Sequence, residues 1–554
     1  MTDRRRLIAA ALGEEKADLV IKRTKALDVF SGEWMTGDVA VCGDTIVGVG
    51  AYSGAEEIDG EGKYVVPTYC DAHLHFESAA IRPSGYLSIT IPRGVTSYNA
   101  DPHEIANVCG EAGIAFMTRD VRGLPADVRF MMPSCVPATG EDSSGAVLDA
   151  EAVRRCKREL GLFGLGEMMN VPGVLARDAG VMDKLDAFDI VDGHAPGLTG
   201  NALGAYAAAG VMTDHECTTP EEAEERVKRG MYVIIREGSQ ARDLRRLIKA
   251  VNGRNFRRFM FCTDDRNLED VCADGTIDNC VRLAVSEGMD VKTALTIASH
   301  NACAAYGLKN KGAIAPGYAA DLIITRDPVG ELPEAVFYGG RRVAENGRAL
   351  FSACGADASG MRGTVRLAPL SDEDFTFAFK RGMPVIEVFP GTLYTKLSHA
   401  DDKEAPDLMC CIERHRASGE IGHAYVKGFG IKGGALAQTV GHDSHNVTVI
   451  GDNARDMRIA VEALGADGGF AAASGGRVTG KVSLDIAGLM SGRSVTEALE
   501  ERKHLREALG ALPHAEGIEP FMLLSFLSLT VIPDVKLNTR GLFDVNGQKY
   551  IYKG

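Results

Sequence analysis

The chain has 554 residues, of which 45% are apolar, and a formal net charge of −15 from 61 basic and 76 acidic side chains. This acidic balance argues against a nucleic acid or an anionic membrane surface as a partner, because both carry negative charge. No uninterrupted apolar run reaches the roughly 18 residues that cross a bilayer, and the 13 cysteines show no Cys-x-x-Cys spacing, so we expect a cytoplasmic protein without a disulfide framework or a structural zinc site.

Short strands separated by Gly and Asp are the first predicted elements. The clearest runs occupy residues 17–22 and 45–49, and a stretch of the same character returns at residues 312–345. We therefore predict one small β-sandwich domain that is built from residues 1–66 together with residues 312–351. The central part of the chain is then an insert between the two halves of this domain.

The insert, residues 67–311, alternates short apolar runs with stretches that favour helix. Helices are predicted at residues 220–229, behind the capping candidate Thr219, and at residues 241–251. The apolar runs end at His75, Ala100, residues 132–134, Glu167, His194, His215, Arg236 and Thr263. Strands joined by helical crossovers over about 250 residues predict a (β/α)8 barrel of the TIM type, and a doubly wound open sheet is the alternative that alternation alone leaves open.

Residues 352–554 form the third predicted unit, an α+β domain. Paired glycines at residues 433–434 and 475–476 interrupt its apolar runs, and residues 483–500 favour part of a helical pair. The predicted organisation is therefore α/β, with a TIM-like barrel, a flanking β-sandwich and a C-terminal α+β domain.

The motif His73-Leu74-His75, at the end of the first predicted barrel strand, is the strongest functional signal. Side chains alternate faces along a strand, so both imidazoles point the same way and can bind one metal ion. Alone, the motif is equally consistent with an exposed strand. Other residues follow apolar runs in the same way, namely Glu167, His194, His215 and Asp264. Since the catalytic groups of a parallel barrel gather at the carboxyl ends of its strands, we predict that the whole set binds metal.

The chemistry of this set indicates divalent cations. Mixed imidazole and carboxylate donors suit zinc, iron or manganese, and the set exceeds the three protein ligands of a single catalytic zinc. Glu167 could therefore bridge two ions. Asp264 is the candidate to accept a proton from a water molecule that the ions activate. Taken singly, each residue has an ordinary explanation, such as a helix cap for an Asp or a buried hydrogen bond for a His.

Sequence blocks along nearly the whole chain give a resemblance to a known family. They lie at residues 71–78, 100–107, 133–139, 164–169, 192–197, 213–219, 236–239, 262–265, 441–446 and 533–545. Two of them read Asp71-Ala-His-Leu-His-Phe-Glu-Ser78 and Gly441-His-Asp-Ser-His-Asn446. In these blocks the chain closely resembles bacterial adenine deaminases of the amidohydrolase superfamily.

The resemblance implies hydrolysis of adenine to hypoxanthine and ammonia, in purine salvage, at a centre of two divalent ions, with manganese or iron favoured over zinc. The implied ligand set divides into His73, His75 and Asp264 for one ion and His194 and His215 for the other. Glu167 stands where many relatives carry a carbamylated lysine, and would bridge the ions. The implied partners are a small purine substrate and, we expect, further copies of this chain in a homo-oligomer.

In the implied reaction, activated water attacks C6 of the purine, Asp264 accepts its proton and an acid protonates N1. Glu237 is our hypothesis for that acid, with Glu77 and Glu104 as rivals. Asp265 could hydrogen-bond N7 of the purine or simply cap a helix.

Further substrate contacts are predicted in two segments. Ser134, with Cys135 and Thr139, could line the purine pocket, although a structural turn explains this block equally well. His442 and His445 in the third domain could reach over the barrel mouth. Without the resemblance, a surface loop is the favoured explanation for this pair.

Two other interpretations stay open at this point. A related enzyme could act on another aminopurine or open a cyclic amide, but cyclic-amide hydrolases of this kind keep the bridging lysine, and residues 164–167 offer Glu167 and no lysine. A binding or scaffold protein that retains the fold would be expected to lack ligands, whereas every expected ligand position is filled.

Overall fold

The computed structural model describes residues 3–330, 332–390, 392, 394–400 and 406–553. A mixed nine-stranded sheet carries both the beginning of the chain and a later return. Its strands are Ala17–Asp28, Glu33–Cys42, Thr45–Gly50, Gly54–Asp59, Tyr64–Pro67, Leu322–Thr325, Ala335–Tyr338, Arg341–Glu345 and Arg348–Ala349. Leu322–Thr325 pairs antiparallel with Tyr64–Pro67, which joins the two stretches of chain. The helix Arg4–Leu12, capped by Asp3, precedes the sheet.

Eight short parallel strands lie between the two halves of this sheet. They are Tyr69–Leu74, Val95–Ala100, Asp127–Phe130, Leu165–Met168, Val191–Gly193, Thr213–Asp214, Tyr232–Arg236 and Phe259–Cys262. Neighbours in the chain pair through parallel ladders or through single contacts, such as the bridge of Met132 with Leu165. Leu74 and Asp264 also form a parallel bridge, so the pairing returns to the first strand. Nearly all residues of these strands are buried, as expected when both faces are covered.

Helices connect the parallel strands. The α-helices are Pro83–Thr90, His103–Asp120, Ala150–Leu160, Val171–Ala176, Ala179–Leu185, Gly200–Ala208, Pro220–Lys228 and Leu244–Leu247, with Leu268–Ala273, Ile277–Ser286, Val291–Thr296 and Ala302–Ala305 after the last strand. The 3-10 segments are Phe76–Ala79, Ile91–Arg93, Ile248–Ala250 and Phe256–Arg258, and Ile297–Asn301 is a π-helical segment.

The helix predicted at residues 220–229 is confirmed as Pro220–Lys228. Thr219 accepts a hydrogen bond from the Glu222 backbone N–H, and the Glu222 carboxylate accepts one from the Thr219 N–H, which is a capping box. The other predicted helix is shorter than expected, because only Leu244–Leu247 is α-helical. In the described part of the chain, every helix is too short or too polar to span a bilayer.

The C-terminal part contains an eight-stranded sheet. Its order is Lys396–His399, Pro384–Glu387, Ile421–Lys427, Asp407–Ile412, Val447–Gly451, Gly434–Gln438, Gly469–Ser474 and Arg477–Ser483. The other elements are the helices Ala454–Leu464, Val495–Gly510 and Pro520–Phe526, the 3-10 turns Ser359–Met361 and Asp372–Phe375, and a three-stranded sheet of Val535–Asn538, Gly541–Asp544 and Lys549–Lys553. The first of these helices covers one face of the large sheet, and the other two cover the opposite face.

The prediction of helix at residues 483–500 is wrong for residues 483–494. Ala487 and Gly488 have left-handed φ values of 59° and 68°, which a helix does not accommodate. The helix therefore begins only after Ser494, whose side chain caps it. The predicted role of Cys410 and Cys411 as core residues is confirmed, since both are buried in one strand, and no described cysteine is disulfide-bonded.

The C-terminal part packs against the parallel strands and their loops. The Ser491 N–H donates to the Ala80 carbonyl at 3.0 Å, and Arg502 pairs with Glu269 at 2.8 Å. Ile486 and Met490 belong to the same hydrophobic core as the parallel strands. This packing places segment 441–446 of the C-terminal part beside the carboxyl ends of those strands.

Candidate metal centre

The predicted ligands lie together at the carboxyl ends of the parallel strands. His73 lies in the first strand and Glu167 in the fourth, and Asp264 follows the last strand by two residues. Asp264 has a left-handed φ of 52°, a conformation that Asp tolerates better than most residues. Its N–H donates to the His73 carbonyl at 3.0 Å. This turn sets the carboxylate of Asp264 opposite the histidine pair.

The first donor group consists of His73, His75 and Asp264. The Nε2 atoms of His75 and His73 lie 3.2 and 3.4 Å from Asp264 Oδ1. His73 Nε2 is buried and makes no hydrogen bond, as expected of a nitrogen that binds a metal ion. His75 donates from Nδ1 to the Asp101 carbonyl at 2.9 Å, which leaves its Nε2 as the nitrogen with the lone pair.

Glu167 lies at the centre of the cluster. Its Oε2 is 2.8 Å from His194 Nδ1 and 3.1 Å from His215 Nε2. Its Oε1 is 3.1 Å from His103 Nδ1 and 3.6 Å from His75 Nε2. Burial opposes ionisation of Glu167, but hydrogen bonds from the surrounding imidazoles outweigh it and hold its pKa well below the usual range. The carboxylate is therefore charged at neutral pH and lies between two groups of histidines.

His103 and Glu216 are cluster residues that the sequence analysis missed as ligands. His103 opens the helix His103–Asp120, just after the second parallel strand. Glu216 Oε1 lies 3.5 Å from His215 Nε2 and 3.7 Å from His194 Nδ1. Two signals could have found them: His103 lies within a sequence block that follows a strand end, and Glu216 comes directly after a predicted ligand.

Arg236 is the buried cation of the site. Its guanidinium forms ion pairs with Glu216, with Asp264 Oδ2 at 3.0 Å and with Asp243 at 3.5 Å. Burial opposes ionisation of Asp264, but the hydrogen bonds of the first-strand histidines and the charge of Arg236 outweigh it and hold the pKa of Asp264 well below its usual range. Asp264 is therefore ionised near neutral pH, as a metal ligand has to be.

The donor set fits divalent cations. Imidazole nitrogens and carboxylate oxygens are the ligands that zinc, iron and manganese take in proteins. Overlapping triples of donor atoms lie within 4.8 Å of one another, namely His73, Glu167 and His215; His73, His75 and Asp264; His75, His103 and Glu167; His194, His215 and Glu216. Glu167 belongs to two of these triples, one with His73 and His215 and the other with His75 and His103.

His442 and His445 reach the cluster from the C-terminal part. His442 Nδ1 lies 2.5 Å from Glu104 Oε1, and His445 Nε2 hydrogen-bonds the other oxygen of Glu104. The same carboxylate lies 3.3 Å from His103 Nε2. Burial lowers the pKa of His445 to about 4, whereas Glu104 outweighs burial and raises the pKa of His442 to about 9. The surface-loop explanation of this pair is wrong, because both side chains are buried.

Two adjoining cavities open beside these residues. The smaller, of about 80 Å³, is lined by the metal-ligand candidates other than His73 and by hydrophobic side chains of the last helix and the segment after it. The larger, of about 300 Å³, extends between the parallel strands and the C-terminal part. Glu104, Asp265, His442 and Met522 line both cavities, so the two spaces meet at these residues.

Glu77 and Asp265 are predicted residues that line the larger cavity, and Asp265 also lies at its junction with the smaller one. Glu77 lines the larger cavity; its Oε1 accepts from the Ile105 N–H at 3.1 Å, and its buried Oε2 has no partner. Burial raises the pKa of Glu77 to about 7. Asp265 lines both cavities and accepts a hydrogen bond from the Ser78 hydroxyl.

Glu237 and Ser134 are predicted residues whose side chains do not line either cavity. Glu237 accepts a hydrogen bond from the Leu244 N–H at 3.4 Å. Ser134 donates to the Glu167 carbonyl at 2.5 Å, and Thr139 donates to Asp142 at 2.7 Å. Among the described residues, none of these side chains nor Cys135 lines either cavity. Ser134 contacts the backbone that carries a ligand instead of the space for a substrate.

The fold is that of an amidohydrolase, and it carries groups of His, Asp and Glu that could hold a metal ion. Residues 64–343 match the family model "Amidohydrolase family". Residues 394–549 match the model "Adenine deaminase C-terminal domain". The chain is 44% identical to the adenine deaminase of Nitratidesulfovibrio vulgaris (strain DP4) over 97% of each protein, and 41% identical to that of Geobacillus kaustophilus (strain HTA426) over 98% of each. The chain therefore belongs to the adenine deaminase family.

A solved enamidase structure, also from the amidohydrolase superfamily, covers 60% of this chain and 96% of its own, with 17% identity and a TM-score of 0.45.

Proposed function

We propose that this protein hydrolyses adenine to hypoxanthine and ammonia. The observation that carries the proposal is the Glu167 carboxylate, which contacts His75 through one oxygen and His194 and His215 through the other, beside two adjoining cavities. Full-length similarity to adenine deaminases supports adenine as the substrate over a cyclic amide.

We also infer that the eight parallel strands close into a (β/α)8 barrel. An open sheet would leave its first and last strands as unpaired edges, whereas the Asp264 N–H donates to the His73 carbonyl. The nine-stranded sheet and the C-terminal part would then be separate domains, divided near residues 66, 311 and 351. In this arrangement the catalytic centre lies at the barrel mouth and the C-terminal domain covers it.

The residues that would hold two ions divide as the resemblance implies. His73, His75 and Asp264 would hold one and His194 and His215 the other, with Glu167 between them and His103 and Glu216 as further donors. Bound divalent ions supply Lewis acidity, which brings the pKa of water toward neutrality. We propose manganese or iron as these ions. Self-association of the chain stays a prediction.

The chain's own residues would transfer the protons of the reaction and orient the purine. Asp264, held ionised by His73, His75 and Arg236, would accept one proton of the attacking water. Glu77, whose buried Oε2 has no partner, would donate a proton to N1 as water adds to C6. Asp264 would then pass its proton to the amino nitrogen as the C6–N bond breaks, so that ammonia leaves. Glu77 would recover a proton from the C6 hydroxyl as hypoxanthine forms. Asp265 would accept from a ring N–H or position Ser78, its present donor.

The substrate is tested by ammonia release. Purified protein, loaded with manganese, is expected to release one ammonia per hypoxanthine formed from adenine. Hydantoin and dihydroorotate, as cyclic amides, are the matched substrates that this site should not open. Turnover of a cyclic amide with no ammonia from adenine would overturn the proposed function, whereas faster turnover of another aminopurine would revise the substrate alone.

The identity of the N1 acid is tested by paired replacements. Glu77→Gln removes the carboxyl proton and is expected to lower kcat by roughly 10²- to 10⁴-fold. Glu237→Gln changes an equivalent side chain that is bonded to the Leu244 N–H, so its effect is expected to stay below about tenfold. Steady-state kinetics on adenine measures both. A larger loss in Glu237→Gln would return the role to Glu237.

A further inference from the structure

Gln438 is a fully buried amide without a partner. It ends the strand Gly434–Gln438, and neither its Oε1 nor its Nε2 makes a hydrogen bond. An unsatisfied buried polar group costs about 1–3 kcal/mol. The buried amide of Asn446, by contrast, donates to the Ser143 carbonyl at 2.8 Å and accepts from the Arg414 N–H at 3.3 Å. Among the buried Asn and Gln side chains of the described residues, Gln438 is therefore the one whose amide makes no hydrogen bond, and a ligand could supply the missing partners.

Strand alternation determines where this amide points. Ala435 and Ala437 pack in the core that contains the helix Ala454–Leu464, so Gln438 belongs to the opposite face, with Leu436. On that face Gln438 lines the larger cavity. Phe470, its direct partner in the neighbouring strand, lines the same cavity. An amide and an aromatic ring thus border one space.

The proposed reaction fixes which end of the substrate enters this space. C6 of adenine has to lie at the ligand cluster, which borders the smaller cavity. N3 and N9 are on the opposite edge of the purine and then face the larger cavity, through the junction at Glu104, Asp265 and His442. Adenine presents an acceptor at N3 beside a donor at N9–H. A primary amide presents a donor beside an acceptor.

We propose that Gln438 binds the N3/N9 edge of the purine and selects the free base. Its Nε2–H donates to N3 and its Oε1 accepts from N9–H, in the way that amide side chains bind adjacent donor and acceptor atoms of adenine. A nucleoside has no N9–H and places a sugar against the amide. This assignment rests on the proposed function, since it takes the reacting carbon to lie at the metal ligands.

The test compares adenine with 3-deazaadenine, in which N3 is replaced by C–H. Gln438→Met keeps the length of the side chain and removes both hydrogen-bonding atoms. We expect kcat/KM for adenine to fall by roughly 10- to 100-fold in this variant, because both hydrogen bonds are lost. For 3-deazaadenine, which keeps N9–H but has no acceptor at position 3, kcat/KM should fall by only about 3- to 10-fold. The preference for adenine that the wild type shows would then be largely lost. Gln438→Leu is the second variant, should Met fold poorly.

Thr448→Val is the matched control. Thr448 is the partner of Gln438 on the other neighbouring strand, is fully buried and has an unpaired hydroxyl, but does not line the larger cavity. The ratio of kcat/KM for adenine to kcat/KM for 3-deazaadenine in Thr448→Val should equal that of the wild type. Equal losses for both purines in Gln438→Met, or no loss at all, would overturn the proposal.

A second readout does not depend on turnover. Calorimetric binding of hypoxanthine, which keeps N3 and N9–H, should weaken by roughly 10- to 100-fold in Gln438→Met and stay unchanged in Thr448→Val. If the wild type released no ammonia from adenine, the proposed function would fail and this binding measurement alone would decide the role of Gln438. Unchanged hypoxanthine affinity in Gln438→Met would overturn that role whatever the reaction.

Discussion

Replacing Glu167 with glutamine is expected to lower kcat on adenine by on the order of 10³-fold or more, and to reduce the metal that the protein retains. Glu167 contacts His75, His103, His194 and His215 through both of its oxygens. Glutamine keeps the shape of the side chain but offers one neutral oxygen. The histidines on both sides of residue 167 therefore lose the carboxylate that they share. Steady-state kinetics and elemental analysis of the dialysed protein measure the two effects.

Glu287→Gln is the control for Glu167→Gln. It removes the same charge from a carboxylate that pairs with Arg245, away from the cluster. Both metal content and kcat should match the wild type. If Glu167→Gln also kept its metal and its rate, Glu167 would have no part in the centre.

The second large effect is expected from Asp264→Asn. Asparagine tolerates the left-handed φ of 52° at this position, so the backbone turn should be preserved, whereas the charge and the proton acceptor are lost. We expect kcat to fall by roughly 10³- to 10⁴-fold, because ligand and base are removed together. Retained metal should fall less than in Glu167→Gln, since the histidines that Asp264 pairs with among the described residues are His73 and His75, whereas Glu167 contacts four.

Asp274→Asn serves as the comparison for Asp264→Asn. Asp274 is a half-exposed carboxylate 3.5 Å from Arg266, and its replacement should leave kcat within about twofold of the wild type. A kcat close to normal in Asp264→Asn would show that another group accepts the proton.

The strand ends that carry the candidate ligands could be predicted from the sequence, because apolar runs and the polar residues that end them are local features. His73, Glu167 and Asp264 were found in this way. His103 was not, since it opens a helix and reaches Glu167 only through the tertiary path of the chain.

The orientation of Glu237 has a simple cause. Neighbouring residues on a strand point to opposite faces, and Arg236 already points to Asp264, so Glu237 turns toward Leu244. Strand alternation could have predicted this outcome once Arg236 was assigned to the site. Proximity in sequence to a strand end is therefore insufficient to predict that a side chain points into the site.

The C-terminal contribution could not be predicted from local pattern. His442 and His445 bind Glu104 only because the packing of the C-terminal part brings segment 441–446 to the strand ends. Gln438 gives no signal in the sequence, where it resembles any polar residue at the end of a strand. Its meaning depends on the cavity that it lines and on the missing partners of its amide.

The central claim is that imidazoles and carboxylates of separate strands hold two cations that the reaction requires. The most direct measurement is stepwise addition of manganese to chelated protein, with ammonia release from adenine recorded at each metal-to-protein ratio. We predict no release without metal and a rise that saturates at two ions per chain. Full release by the metal-free protein, or saturation at one ion per chain, would contradict the claim.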